Sequence, residues 1–180
     1  NITQKHLEKT SYLKNADNWQ VLDVLIDTHA HLQWNSFNKD FDQIIDRAEK
    51  ANVRTIVNIG FDLNGSRKGI ELCKKYKGLY ATVGIHPHNA KTLNSETLNK
   101  LRKLSEKPKV VAIGEIGLDY YRNLSSHEDQ KRAFETQLCL AEECQMPVVI
   151  HDREAHRAVL ERILHFGRNT ECIIPFLSGD

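Results

Sequence analysis

The chain reads as an α/β protein of the (β/α)8-barrel class, with about six of the eight βα units of such a barrel present. Three observations lead there. Short runs that are apolar at consecutive positions alternate with segments whose apolar residues recur every three or four positions, the pattern of a parallel sheet covered on both faces by helices. No glycine lies between Asp27 and Trp34, after the first run, which argues against a doubly wound dinucleotide-binding fold. Several runs close on a histidine or a glutamate, namely His29, His31, His86, Glu115 and His151, and strand C-termini are where a barrel collects functional side chains.

The elements follow in order. Val24 to Leu32 predicts the first strand, and Phe41, Ile44, Ile45 and Ala48 mark one buried face of the helix after it. Thr55 to Gly60 predicts a second strand, Asn64 to Tyr76 a helix and Tyr80 to His86 a third strand. Leu98, Leu101 and Leu104 place the next helix, and Val110 to Glu115 the fourth strand. A long helix carries Phe134, Leu138 and Ala141 on one face, and the spacing of Ser125 and Glu128 predicts a capping box at its start. Pro147 to His151 is the fifth strand, Val159, Ile163 and Phe166 mark its helix, and Cys172 to Ile174 begins a sixth. Two regions result: a polar N-terminal extension over 1–20, and an incomplete barrel domain over 21–180.

Composition narrows the function. With 180 residues and 40% hydrophobic content, one substantial core is expected. The 25 Lys and Arg against 24 Asp and Glu argue against a purely electrostatic nucleic-acid binder, while leaving room for a local basic groove. No apolar run is long enough to span a bilayer, and no membrane partner is expected. Cys73, Cys139, Cys144 and Cys172 show no Cys-x-x-Cys spacing and fit a reducing compartment, so a cytoplasmic location is expected.

Alternate positions of an extended strand share a face, so His29 and His31 can present two imidazoles to one point, half of a metal site. Glu115 ends an apolar run, where a buried carboxylate needs a cation or donors. His151 invites the same reading. The residues leave several roles open. His86 and His88 can serve a substrate or simply a turn, and Arg153 can hold a phosphate or pair with Glu154 or Asp152. Asp119 fits a loop cap as well as a functional role. His127, His156 and His165 lie on helices and read as solvated groups.

Four motifs then stand out together: Ile26-Asp27-Thr28-His29-Ala30-His31-Leu32, Gly84-Ile85-His86-Pro87-His88, Gly114-Glu115-Ile116-Gly117-Leu118-Asp119-Tyr120-Tyr121 and Ile150-His151-Asp152-Arg153-Glu154-Ala155. In order and spacing they resemble the TatD-type metal-dependent deoxyribonucleases of the amidohydrolase superfamily. The resemblance implies a TIM-type barrel that hydrolyses phosphodiester bonds of DNA, or RNA, often as a 3′ exonuclease, with up to two divalent ions such as Mg, Mn or Zn. It also implies that His29 and His31 hold the first metal, that Glu115 bridges both as the central catalytic group, that His151 holds the second, and that His86 and Arg153 lie near the substrate phosphate.

Departures accompany the matches. Pro175 stands where the resemblance asks for a second-metal histidine, and proline cannot ligate, which puts the second site in doubt. Six units leave a barrel open, so either a missing C-terminal segment or a homodimer is expected to cover the edge beside Ile173 and Ile174. Two alternatives to a nuclease follow: a catalytically impaired binding or regulatory subunit, and a hydrolase of aminoacyl esters on nucleic acid, because one metal framework serves several leaving groups.

Overall fold

Residues 24–175 are described by the structure, a computed structural model. The expected N-terminal extension and the run from Phe176 to Asp180 lie outside the described residues. Six parallel strands form one sheet in the order β1-β2-β3-β4-β5-β6. They are β1 Leu25–Ala30, β2 Val53–Asn58, β3 Leu79–Val83, β4 Val110–Asp119, β5 Val148–Arg153 and β6 Cys172–Ile173. The spatial order repeats the chain order without a reversal, which is how a barrel winds; a doubly wound sheet turns back at a switch point.

Five α-helices return the chain between strands: α1 Phe41–Lys50, α2 Leu63–Lys75, α3 Ser95–Ser105, α4 His127–Cys144 and α5 His156–Phe166. Three of the starts carry a side-chain cap. Asp62 caps α2 by accepting the Gly65 N–H, and Asn94 caps α3 through the Thr97 N–H. The expected capping box at α4 is displaced by one residue: Ser126, not Ser125, accepts the N–H of Asp129, and Asp129 takes the place foreseen for Glu128. Ser125 instead points inward, where its hydroxyl donates to the His88 carbonyl. The reason is burial. Ser125 belongs to the protein interior, so only its neighbour is free to cap.

The core lies between sheet and helices, with Ile113, Ile116, Leu118, Phe134, Leu138 and Ile150 fully buried. The predicted face of α4 is thus the one that packs. β1 departs from the buried pattern expected of a parallel strand: Leu25 and Ile26 are about half exposed, because β1 pairs only with β2 among the described residues. β6 likewise pairs only with β5.

Candidate metal centre

All the strand-end residues singled out above meet at the C-terminal end of the sheet. His29 lies in β1 and His31 just beyond it, where His31 Nδ1 is 3.1 Å from the Ile59 carbonyl oxygen. The β1 end is tied to β2 as well: the Leu32 N–H donates to the Asn58 side chain (2.7 Å) and the Gln33 amide donates to the Ile59 carbonyl (2.7 Å). Trp34 stacks on the His31 ring with centroids 4.9 Å apart and planes 8° from parallel, which limits that ring's rotation. These contacts tie the His31 ring and the end of β1 to β2.

Glu115 was expected at the end of the fourth strand, but β4 continues to Asp119. Its register against β5 shifts between Ile113 and Ile116, and at that irregularity the carboxylate turns toward the histidines. His29 Nε2 lies 3.6 Å from Glu115 Oε2, His86 Nε2 3.9 Å from the same oxygen, and His151 Nδ1 3.1 Å from Oε1. Ligand atoms of His29, His31 and Glu115 lie within 4.8 Å of one another, and so do those of His86, His88 and His151. A cavity of about 240 Å³ opens beside them, with His31, Trp34, His86 and Glu115 in its wall. A larger one of about 510 Å³ lies at the other end of the sheet, by Pro147 and Glu171, where no histidine converges.

Two buried glutamines of α4, invisible as site residues in the sequence, hold the strand ends. Gln137 accepts the Ile85 N–H (2.7 Å) and donates to the Ile85 carbonyl (3.1 Å), immediately before His86. Gln130 does the same for Asp119, accepting its N–H at 2.8 Å and donating to its carbonyl at 3.1 Å. A polar residue on the packed face of an apolar helix was the only signal available.

Protonation follows from this packing. Burial pushes the His86 imidazole down to about 3, outweighing the Glu115 charge, so it is neutral at pH 7 with a lone pair to offer. His31 is lowered, chiefly by burial. Burial alone would raise Glu115, but hydrogen bonds from His151 and His29 and the charges of His86 and His151 hold it well below the usual carboxylate range. Burial lowers His151, yet its bonds to Glu115 and Asp119 carry it above the ordinary value.

The remaining residues fall at the rim or away. The Arg153 guanidinium stacks over the Tyr121 ring at 4.0 Å, pairing with neither Asp152 nor Glu154 among the described residues. Asp119 combines both roles considered for it: Oδ1 accepts the N–H groups of Tyr121 and Arg122, and Oδ2 meets His88 and His151. His127 and His165 are exposed as expected. His156 is not simply solvated; it is half-buried, with Nδ1 2.7 Å from Asp152 Oδ2. Pro175 follows β6 and offers no ligand atom.

The donor set fits a divalent cation. Imidazole and carboxylate together suit Zn, Mn or related ions, and Glu115 is a buried anion with only histidines as ionic partners among the described residues. A sequentially wound parallel sheet with such a cluster at its C-terminal end defines the metal-binding β/α-barrel class. Residues 26–179 match the model of the family described as TatD related DNase. The chain belongs to that family.

Among similar proteins, an uncharacterised metal-dependent hydrolase, YabD, of Bacillus subtilis is 39% identical over 137 residues, 76% of this chain and 54% of its own length. A protein named 3′-5′ ssDNA/RNA exonuclease TatD, from Pantoea vagans, is 43% identical over 141 residues, covering 76% of this chain and 54% of its own length. The chain therefore spans about half the length of the curated relatives it matches. A solved TatD homolog of Escherichia coli, YjjV, superposes with a TM-score of 0.80 at 29% identity, covering 88% of this chain and 62% of the other. A TatD family hydrolase of Entamoeba histolytica gives the same TM-score and identity over 86% and 58%. These likenesses bear out the barrel class; six of its strands are seen among the described residues.

Proposed function

We propose that this chain carries the catalytic centre of a divalent-metal-dependent hydrolase that cleaves phosphodiester bonds of DNA, exonucleolytically, with RNA as a second substrate. The observation that carries the reading is the convergence of His29, His31 and Glu115 within 4.8 Å beside an open cavity. Relatives named as exonucleases of single-stranded DNA and RNA support the substrate class. His29 and His31 would hold the ion, with Glu115 as the anionic ligand. Bound there, Mg, Mn or Zn supplies Lewis acidity and charge compensation at a phosphodiester.

The chain's own groups do the rest. Trp34 and the Ile59 carbonyl keep His31 in place, while β4 delivers Glu115 ionised. Neutral His86 borders the cavity and can bond a phosphate oxygen. Arg153, held flat against Tyr121, presents a guanidinium suited to two-pronged phosphate binding.

One observation favours the alternative of an impaired, non-catalytic binding subunit: Pro175 offers no ligand where the family resemblance asks for one. A divalent-metal-dependent assay on a labelled single-stranded oligonucleotide separates the two. Cleavage is expected in at least one of Mg, Mn or Zn, lost in Glu115→Gln, which keeps the shape without the charge, and retained in His127→Ala. Persistent cleavage by Glu115→Gln would remove Glu115 from the centre, and no cleavage in any metal would favour the binding subunit.

The four free thiols suit a reducing compartment such as the cytoplasm. The exposed edge of β6, with Ile173 about half exposed, suits cover by a further chain segment or by a second copy in a homodimer.

A further inference from the structure

We propose that a single nucleic-acid strand leaves the metal cavity over the exposed face of Trp34 and runs into the cleft between α1 and α2, where Arg67 and Lys68 meet its phosphates. This rests on the reading of the chain as a nucleic-acid hydrolase and places that substrate beyond the reacting bond.

Trp34 is the junction. Its ring stacks on His31 with centroids 4.9 Å apart. The Phe61 ring stands 5.8 Å from His31 and 6.5 Å from Trp34, beside the stacked pair, since a ring beyond Trp34 would lie farther from His31. Trp34 is 50% exposed, so its far face is the one open to solvent, in the wall of the cavity that also holds His86 and Glu115. An indole held on one face and open on the other is a platform for a base. Every base has a π-face, and stacking on an aromatic side chain discriminates little between them.

Residues 31–34 form a ridge with a different void on each side. His31 and Trp34 line the metal cavity, whereas Leu32 and Gln33 line a cleft of about 480 Å³ between the start of α1 and α2. Phe41 and Leu72 add apolar surface to this cleft, and Arg67, Lys68 and Lys75 line it from α2. Lys75 is turned to Asp42 (3.7 Å), and Glu71, the carboxylate of the same wall, accepts from Lys74 (2.6 Å). Arg67 and Lys68 are exposed and have no carboxylate partner among the described residues. The chain is nearly neutral, so these two cations are a local excess rather than part of a basic surface. Free cations beside apolar side chains match a single strand, whose phosphates carry charge and whose bases offer apolar faces. A duplex keeps its bases stacked inside and would leave the apolar wall unused.

The test is fluorescence anisotropy of a short labelled single-stranded oligonucleotide with the intact chain in EDTA, where no bond is cut. Arg67→Ala combined with Lys68→Ala should weaken binding about tenfold or more at about 0.1 M salt. It should also flatten the slope of log affinity against log salt by about 1.4, the share of two phosphate contacts on a single strand. Lys107→Ala, exposed before β4 at the other end of the sheet, should change neither. For Trp34, the bases of the oligonucleotide are removed one at a time. One abasic position should cost the wild type about 5- to 100-fold in affinity and cost Trp34→Ala nothing, a coupling that mere support of His31 by the indole would not produce. Trp34→Phe should keep that coupling, and Trp34→Leu replaces Trp34→Ala where the latter fails to fold by circular dichroism. An unchanged salt slope in the double variant, the result expected if another segment of the protein fills the cleft, overturns the proposal. So does the absence of any abasic position whose effect depends on residue 34. Binding with both dependences but no cleavage in any metal would reject the hydrolase reading and leave the track standing; cleavage without them would do the reverse.

Discussion

At Glu115 two opposing effects meet, and the structure shows which prevails. Burial disfavours the charged form, but three imidazoles within 4 Å favour it more strongly, so the side chain is delivered ionised to the cavity wall. Cys73 has no such support. It is 1% exposed in the core, and burial pushes its thiol up to about 11, the nearby Lys109 only partly opposing this. At pH 8 it is therefore protonated and shielded, and the thiolate is the reactive form. Alkylation of the native protein followed by mass spectrometry should label exposed Cys139 and leave Cys73 unmodified until denaturant is added. Labelling of Cys73 at a rate close to that of Cys139 would show that the packing around α2 is looser than described.

Between elements, the decisive contacts join α4 to the strand ends. Gln137 serves both backbone groups of Ile85 from 52 positions away in sequence. Gln137→Leu has similar bulk but leaves a buried N–H and C=O unpaired, which is expected to cost about 1–3 kcal/mol in urea denaturation. Gln137→Glu keeps the acceptor and loses the donor, so its cost should be comparable or greater; stability equal to wild type in both variants would mean that water reaches Ile85. A second pressure point lies between β4 and β5. Gly117 has φ +139°, and an added Cβ would stand 2.1 Å from the His151 carbonyl oxygen. Gly117→Ala must push the strands apart or distort β5 beneath His151. A loss of about 1–3 kcal/mol or more is expected, together with weaker metal binding at the histidines. An unfolding curve and metal affinity both unchanged would contradict this close approach.

For the whole molecule, a cation at the sheet's C-terminal end would link groups from β1, β3, β4 and β5 and the turns after them. A ligand that binds only the folded state stabilises it by mass action, about 2.7 kcal/mol at a concentration one hundred times its Kd. In a chain of 180 residues that corresponds to a rise in Tm of roughly 5–10 °C. Thermal melts with saturating Zn or Mn, compared with melts in EDTA, should show this increase, and His31→Ala should reduce it. A Tm indifferent to metal and chelator would mean that the histidine cluster is satisfied by its own hydrogen bonds.

The alternation of apolar runs and amphipathic helices was local, repeated information, and it was enough to place the six strands and five α-helices seen among the described residues to within a few residues. The motif spacing of His29, His31, His86, Glu115 and His151 was legible for the same reason: each lies in or just after the C-terminal half of a strand, and parallel strands bring those halves together. The N-terminal cap of α4 was read one residue early because Ser125 and Ser126 are alike as sequence, and only the packed fold decides which one faces inward. Asp119, Gln130 and Gln137 could not be assigned from the chain alone. A buried carboxylate or amide has no periodic signature, and its role depends on partners brought near by the winding of the sheet. Sequence by itself determined the fold class and the ligand types. Tertiary structure decided how the histidines divide into two groups around Glu115, because that division depends on the β4–β5 register shift and on side-chain directions set by packing.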